Sequence, residues 1–386
     1  LVSCELHHHL LIAYVTEREF PNMANGEKQL MYLAIANAAF LHNIEHAEVM
    51  SFLKNYFSNY KNDVDLEHID SLLKRYMNGE DLIPEEIDRH GELYLSLKYN
   101  TPEWLVKMWV KHLGRDIAER LMIANTRPVA QACRVNTLKI TTDALVARQH
   151  GFERGPVNNT VIYRGKPPLK MTEEYRNFEI FQQRFAVSEA IENGDYSNLT
   201  SCLIYEERPH AMHLDLAIKE KKAFPIHIAV PTMERRLDVR KILMEQEFDN
   251  IVAFESTAPL LITHIRDEVD CVVVIPDCSK FDLIRTVPDF LLHFQQSSLD
   301  QIIFQERRAL EECSAFVKKG GALLYGINTI NHKEGHALIV EFLKDHPEFV
   351  LIEERQFLPF DRYNSTLYTA YLRRSETSPT PVETEE

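Results

Sequence analysis

Between Gly194 and Gly320 the chain has no glycine at all, although 12 glycines occur among its 386 residues. A parallel sheet that brings its backbone up to a nucleotide-type ligand needs glycine in the turn after its first strand, so the usual phosphate- and nucleotide-binding turns are excluded from this stretch. Cysteine is equally sparse. The six cysteines are scattered without a C-x-x-C pair, which excludes a disulfide framework and a cysteine zinc site. No apolar run approaches the roughly 18 residues needed to cross a bilayer. The first residues, "LVSCELHHHLLIAYVTEREF", lack the basic start and cleavage site of a signal peptide, so the cytoplasm is the expected compartment. "CELHHH" at Cys4 to His9 crowds metal-type side chains together, but a helix terminus or an unstructured start explains it as well, and no metal site is expected.

With 45% hydrophobic residues the chain can bury more than one core, and its length suits two or three domains. The net charge of −15 opposes indiscriminate binding of nucleic acid over the whole surface. Residues 101–180 depart from it, with 13 Lys or Arg against 8 Asp or Glu, a local +5 that leaves −20 for the rest. One basic segment inside an acidic protein is a confined electrostatic footprint of the kind that meets RNA.

The apolar spacing from about residue 25 to 99 is helical throughout, for example Leu30, Ala34, Ala38 and Leu41 on one face, and predicts an all-helical bundle over 1–99. "TPEWLVKMWVKHLG" predicts a further helix, with Thr101 as its cap and Gly114 just past its end. It carries both tryptophans, Trp104 and Trp109, which are read as packing residues. "QACRVNTLKITTDALVARQHGF" and "TVIYRG" then predict a small basic α+β domain, residues 100–177. From 178 to 374 apolar strands at Cys202–Tyr205, Ile226–Val230, Ile251–Phe254, Val272–Ile275 and Leu323–Tyr325 alternate with helical stretches, and "FVLIEE" and "TLYTAYLRR" form a closing hairpin. This alternation predicts a mostly parallel, doubly wound sheet of Rossmann type. Residues 375–386, "SETSPTPVETEE", read as a disordered acidic tail.

The candidate chemistry lies at "CVVVIPDCSK", where the strand Val272 to Ile275 ends in Asp277 and Cys278. The carboxyl end of a buried strand is where open α/β sheets place their reactive groups. A buried, inert small residue competes with a reactive thiol for Cys278, since only Lys280 stands near enough in sequence to lower its pKa.

The ordered set "YNTPEWLVKMWVKHLG", "RVNTLK", a Rossmann-type half with Cys-Ser after its fourth strand, "RTVPDF" and the long "LDQIIFQERRALEECSAFVKKGGALLYGINT" resembles the RsmB/Sun-type RNA cytosine-5 methyltransferases. The amino-terminal bundle is similar to the NusB-like RNA-binding domain of that family's bacterial branch. The resemblance implies a class I methyltransferase domain behind an RNA-binding-like domain, with S-adenosylmethionine as cofactor and RNA, in particular ribosomal RNA, as partner.

Several positions depart from that family. Cytosine C5 methylation needs a thiolate to add at C6 and an acid to hold the base. Asn328 occupies the position matching the nucleophilic cysteine, and an amide is no nucleophile. Cys278 matches the cysteine that helps release product, yet Ile275 stands in place of the acid and Asp277 in place of the proline. At the cofactor turn "ERPHAMH" keeps Pro209 but has His210, Ala211 and Met212 in place of glycine, glycine and lysine. Pro231 and Ser256 occupy the ends of the second and third strands, where the family has acids.

The expected function is therefore an RNA-binding protein derived from a ribosomal RNA methyltransferase. It is expected to lack cofactor and activity and to act on ribosomal RNA or in ribosome assembly, with no DNA or membrane partner. One alternative is an active cytosine-5 methyltransferase that uses Cys278 with an atypical S-adenosylmethionine site, and another is a protein-interaction scaffold. Arg134, Asn136 and Lys139 of "RVNTLK" are the candidate RNA contacts, because alternation along a strand places side chains on a shared face.

Overall fold

The computed structural model describes residues 1–60, 64–194, 196, 198–207, 210–287 and 289–376. The polar tail from 377 onward and Pro209 lie outside the described residues. The chain divides into two compact units, Leu1–Arg127 with Ile284–Phe294, and Pro128–Leu283 with Gln295–Glu386.

The first unit is helical: α1 (Val2–Glu19), α2 (Asn25–Ala36), α3 (His46–Tyr60), α4 (Leu66–Met77), α5 (Glu92–Lys98), α6 (Glu103–Leu113) and α7 (Arg115–Asn125). In α4, Asp65 accepts hydrogen bonds from the backbone N–H groups of Glu67 and His68, while Ile69, Leu72, Leu73 and Tyr76 form the buried stripe. The "CELHHH" stretch lies within α1, where His9 Nδ1 meets Glu5 one turn earlier at 2.5 Å. The expected cap of α6 shifts by one residue, from Thr101 to Pro102, and Gly114 ends the helix at φ +80°, a conformation that glycine adopts without strain. Leu105, Val106 and Trp109 are buried and α6 packs on α5 and α7, so this helix counts with the helical unit although the sequence division was drawn at residue 99.

The second unit holds two sheets. β1 (Gln131–Val135), α8 (Thr142–Ala147), β2 (Phe152–Arg154), β3 (Thr160–Tyr163), α9 (Glu173–Arg176) and β4 (Ile180–Gln182) form a small antiparallel sheet of order β2-β3-β1-β4 with its helices. α10 (Phe185–Asn193) leads into β5 (Cys202–Glu206), α11 (Met212–Lys219), β6 (Ile226–Val230), α12 (Met233–Glu245), β7 (Ile251–Glu255) and β8 (Val269–Ile275). After α13 (Phe290–His293), part of the segment that returns to the first unit, come α14 (Leu299–Ser314), β9 (Val317–Ile327), α15 (His336–Asp345), β10 (Phe349–Phe357) and β11 (Leu367–Arg374).

The large sheet has the order β10-β11-β9-β8-β5-β6-β7, parallel from β9 to β7 and closed by the antiparallel β10–β11 hairpin. Its central strands are buried on both faces: all of β5 and β8 is buried, which is why they read as continuous apolar runs. One face packs on α10, α11 and α12 and the other on α14 and α15. The chain proceeds outward from β5 to β7 and then crosses back to β8, so the switch point lies between β5 and β8. In such sheets the crevice outside the carboxyl ends at the switch point is the binding site.

Candidate functional site at the carboxyl edge of the large sheet

Glu206, fully buried at the carboxyl end of β5, is the first charged group met in the crevice. Its Oε1 accepts from the backbone N–H of His210 at 2.8 Å and faces Arg235 Nη2 at 3.5 Å, while His213 Nδ1 lies 3.6 Å from Oε2. Burial works to raise this carboxyl, but His213 and His210 outweigh it and hold Glu206 below the ordinary carboxylate value. Across the crevice, Asn328 follows directly on β9, and its amide nitrogen donates to Nε2 of His210. Both side chains are buried.

A second group forms around the end of β8. Cys278 is 3% exposed and packs among Val272, Val274, Leu310 and Tyr325 in the core on the α14 side. Asp277 is exposed; its N–H donates to Glu207 Oε2 at 2.5 Å and its carboxylate pairs with Lys280 Nζ at 2.7 Å. Ser279 donates its N–H to Glu334 Oε1 at 2.7 Å, and Asn331 Nδ2 donates to Oε2 of the same residue at 2.6 Å. Glu306 of α14 adjoins Glu334, and both are fully buried. Burial and the Glu334 carboxyl push Glu306 well above its ordinary value, and burial raises Glu334 despite the donors around it. Two donors satisfy Glu334, whereas among the described residues neither Glu306 oxygen has a hydrogen-bond donor, so Glu306 is the member of the pair pushed up more strongly.

Among the described residues, the positions expected to matter for a cofactor present side chains rather than bare backbone. His210 and Met212 are buried where backbone alone would have to approach the ligand. Between them Ala211 sits at φ +55°, a left-handed conformation that the turn imposes and that glycine would adopt without strain. Pro231 follows β6, whose last residue, Val230, pairs with Glu255 of β7, and the Ser256 hydroxyl donates to the Thr257 carbonyl at 3.0 Å. Glu206, at the end of β5, already accepts from the His210 N–H. Among the described residues no group of three or more His, Cys, Asp or Glu is arranged to hold a metal ion, and Glu206, His210 and His213 do not converge on one point.

The three candidate RNA contacts need correction. Arg134 and Asn136 are each 2% exposed rather than displayed on an outer face. Arg134 Nε donates to Asp215 Oδ1 of α11 at 2.7 Å, and its Nη groups reach the Asn158 carbonyl and Glu192 of α10. Burial raises the Asp215 carboxyl to about 6 even beside this guanidinium. Asn136 closes a turn, donating to the Phe178 carbonyl at 3.0 Å and accepting from the Leu138 N–H at 3.2 Å. Lys139 alone is exposed, and it spans to Gln246 Oε1 at 2.7 Å and the Asn177 carbonyl at 2.8 Å. β1 ends at Val135, so the expected alternation does not extend to Lys139, which lies in the following turn, and Arg134 faces the junction between the two sheets.

Glu206, Glu207, Glu306 and Glu334 escaped the sequence reading. Two signals pointed to them: "EE" directly after the apolar run "CLIY", and an acid at 306 on the same helical stripe as Ala309, Leu310 and Cys313.

Comparison with known proteins shows what the chain is similar to. Residues 101–153 match the family model described as Methyltr_RsmF/B-like, ferredoxin-like domain. The chain is 24% identical over 269 residues to a probable ribosomal RNA small subunit methyltransferase B of Bacillus subtilis, a match that covers 66% of this chain and 58% of that protein. It thus spans little more than half the length of that relative. The crystal structure of PH0851 superposes with a TM-score of 0.73 at 18% identity, covering 96% of this chain and 88% of the other. That of a methyltransferase homolog protein from Pyrococcus horikoshii superposes with a TM-score of 0.63 at 19% identity, covering 73% and 98%. The two structures share the fold. The resemblance to RsmB/Sun-type methyltransferases and the α plus Rossmann-like fold class expected from the sequence are borne out.

Proposed function

We propose that this relative of the RsmB/Sun-type RNA cytosine-5 methyltransferases is a noncatalytic RNA-binding protein, acting on ribosomal RNA or in ribosome assembly. The observation that carries the proposal is the buried contact between Asn328 and His210. It joins the position matched to the nucleophile with the position matched to a cofactor-turn glycine, so the chain's own side chains occupy the space across which a methyl group would pass. Cys278 is turned into the core and does not take over as nucleophile. Calorimetric titration with S-adenosylmethionine is expected to show no binding, and RNA carrying 5-azacytidine is expected to form no adduct. Micromolar or tighter binding, or an adduct abolished by Cys278→Ala, would overturn the noncatalytic reading and establish the active-enzyme alternative.

RNA contact is assigned to the connection between β3 and β4. Lys166, Lys170 and Arg176 are exposed there, and none of them forms an ion pair among the described residues. Arg148, Arg154 and Arg164 of the same basic segment are instead paired with Glu179, Asp143 and Glu153. Reversing the three free cations to Glu should weaken binding to structured ribosomal RNA and lower the log–log salt slope by about 0.7 to 0.9 per lost phosphate contact. Unchanged affinity and slope would favour the protein scaffold.

A further inference from the structure

A cleft of about 200 Å³ opens between the carboxyl end of α10 and the β10–β11 hairpin, within the second unit and remote in sequence from the crevice residues. Its floor is the Tyr371 side of β11, its walls include Asn193 and Glu353, and two arginines, Arg355 and Arg373, stand on the hairpin beside it. Ile352, at a register shift in β10, is 55% exposed at the rim.

Both arginines are held in place. The Arg355 guanidinium lies 4.4 Å from the ring centroid of Phe357 and 4.9 Å from that of Tyr363, and it donates to the Tyr363 hydroxyl at 3.1 Å. Arg373 Nη2 donates to the Tyr371 hydroxyl at 3.3 Å. The carboxyl end of a helix ordinarily repels anions. Here Lys219 Nζ covers the last carbonyls of the α10 region, donating to Ile191, Glu192 and Gly194 at 2.7, 3.0 and 3.1 Å, which removes that objection. Glu189 offsets part of the charge, since it faces both Arg355 and Arg362 at 3.6 Å, but Arg373 has no carboxylate within ion-pair distance among the described residues.

An aromatic ring, an apolar rim, an amide and a carboxylate at the edge, and fixed guanidinium groups outside are the elements that receive an unstacked base and its phosphate. Volume limits the occupant: sites that enclose a drug-sized ligand run to about 300–1,000 Å³, so this cleft holds one planar base and leaves sugar and phosphate at the rim, where Arg373 is exposed. We propose that the cleft is a subsite for a single splayed-out nucleotide of a bound RNA strand, with the base over Tyr371 and its phosphate on Arg373. The proposal rests on the RNA-binding reading above but uses a different surface.

The test uses the full chain, a short single-stranded oligoribonucleotide carrying 4-thiouridine, and free cytidine monophosphate. Irradiation is expected to crosslink the oligonucleotide at Tyr371 or Ile352, located by mass spectrometry. Arg373→Glu and Tyr371→Leu should each lower its affinity about tenfold, while Tyr371→Phe, which keeps the ring and loses only the hydroxyl that holds Arg373, should cost clearly less. Circular dichroism checks that each variant is folded. Wild-type affinity in Arg373→Glu and Tyr371→Leu, with crosslinks confined to the β3–β4 connection, would overturn the subsite and leave the RNA-binding reading intact. Binding of the free nucleotide without binding of the oligonucleotide would overturn the RNA source. Loss of RNA binding only in the Lys166, Lys170 and Arg176 reversals would likewise overturn the subsite.

Discussion

The junction between the two sheets and the carboxyl edge of the large sheet are both buried and polar, yet they are finished to different degrees. At the junction each nitrogen of the Arg134 guanidinium has an acceptor, Gln183 Nε2 donates to the His210 carbonyl at 3.1 Å, and Lys139 reaches Gln246. Asp215 Oδ2 is left over. At the carboxyl edge Glu206 Oε2, His213 Nδ1, Arg235 Nε and Asn328 Oδ1 are all buried without a hydrogen-bond partner among the described residues. A buried polar atom left unmatched costs about 1–3 kcal/mol, so such a group persists only where something other than stability shaped it. The junction is built to hold the fold; the edge holds buried polar groups that the fold alone leaves unmatched among the described residues.

The largest test of that difference is removal of Arg134. Arg134→Ala leaves Asp215 and Glu192 facing each other without their cation, and urea denaturation should show a loss of about 3–5 kcal/mol. Asn328→Ala, which breaks the matching contact at the edge, should cost much less. Equal losses would erase the distinction between the two regions.

A smaller effect separates two carboxyls within the edge by the sign of their pH dependence. Glu206 is held below its unfolded value, so its contribution is complete above about 4.3 and disappears as pH falls through its folded value. Glu306 is held above its unfolded value, so its contribution is complete below about 4.3 and disappears as pH rises from there toward the folded value. Glu206→Gln should flatten the acid limb of a stability–pH profile, and Glu306→Gln should flatten the opposite limb. Profiles that move the same way in both variants would show that the two carboxyls share one environment.

The smallest effect concerns the turn at the edge. A non-glycine residue in the left-handed region costs about 1–2 kcal/mol, partly offset by the extra chain entropy that glycine loses on folding. Ala211→Gly should therefore stabilise the protein by about 0.5–1 kcal/mol, seen as a rise in Tm. A fall would mean that the Ala211 methyl is a packing element.

The legible part of the fold was its strand pattern. β5, β6, β7, β8 and β9 stood out because strands buried on both faces are short apolar runs, and β10 and β11 because their separation suits a hairpin. The candidate site was legible mainly as absence: no glycine after β5, no acid after β6, no cysteine at Asn328. Its occupants were not, because His210 and Asn328 meet across 118 positions of chain.

By itself the sequence determined which side chains within a strand share a face, which segments can be strands or helices, and where side chains stand in place of glycine. These follow from local geometry, in which a period of two or 3.6 and the lack of a Cβ are properties of neighbouring residues. Only the tertiary structure decided what each face looks at. Arg134 became a buried link because α11 brought Asp215, 81 positions away, within 2.7 Å, and the Glu306 carboxyl is pushed well above its ordinary value because it is buried and Glu334 is folded against it. Burial and partner choice are set by which distant elements pack together, and charge in a low-dielectric interior responds to those partners more strongly than to anything beside it in the chain.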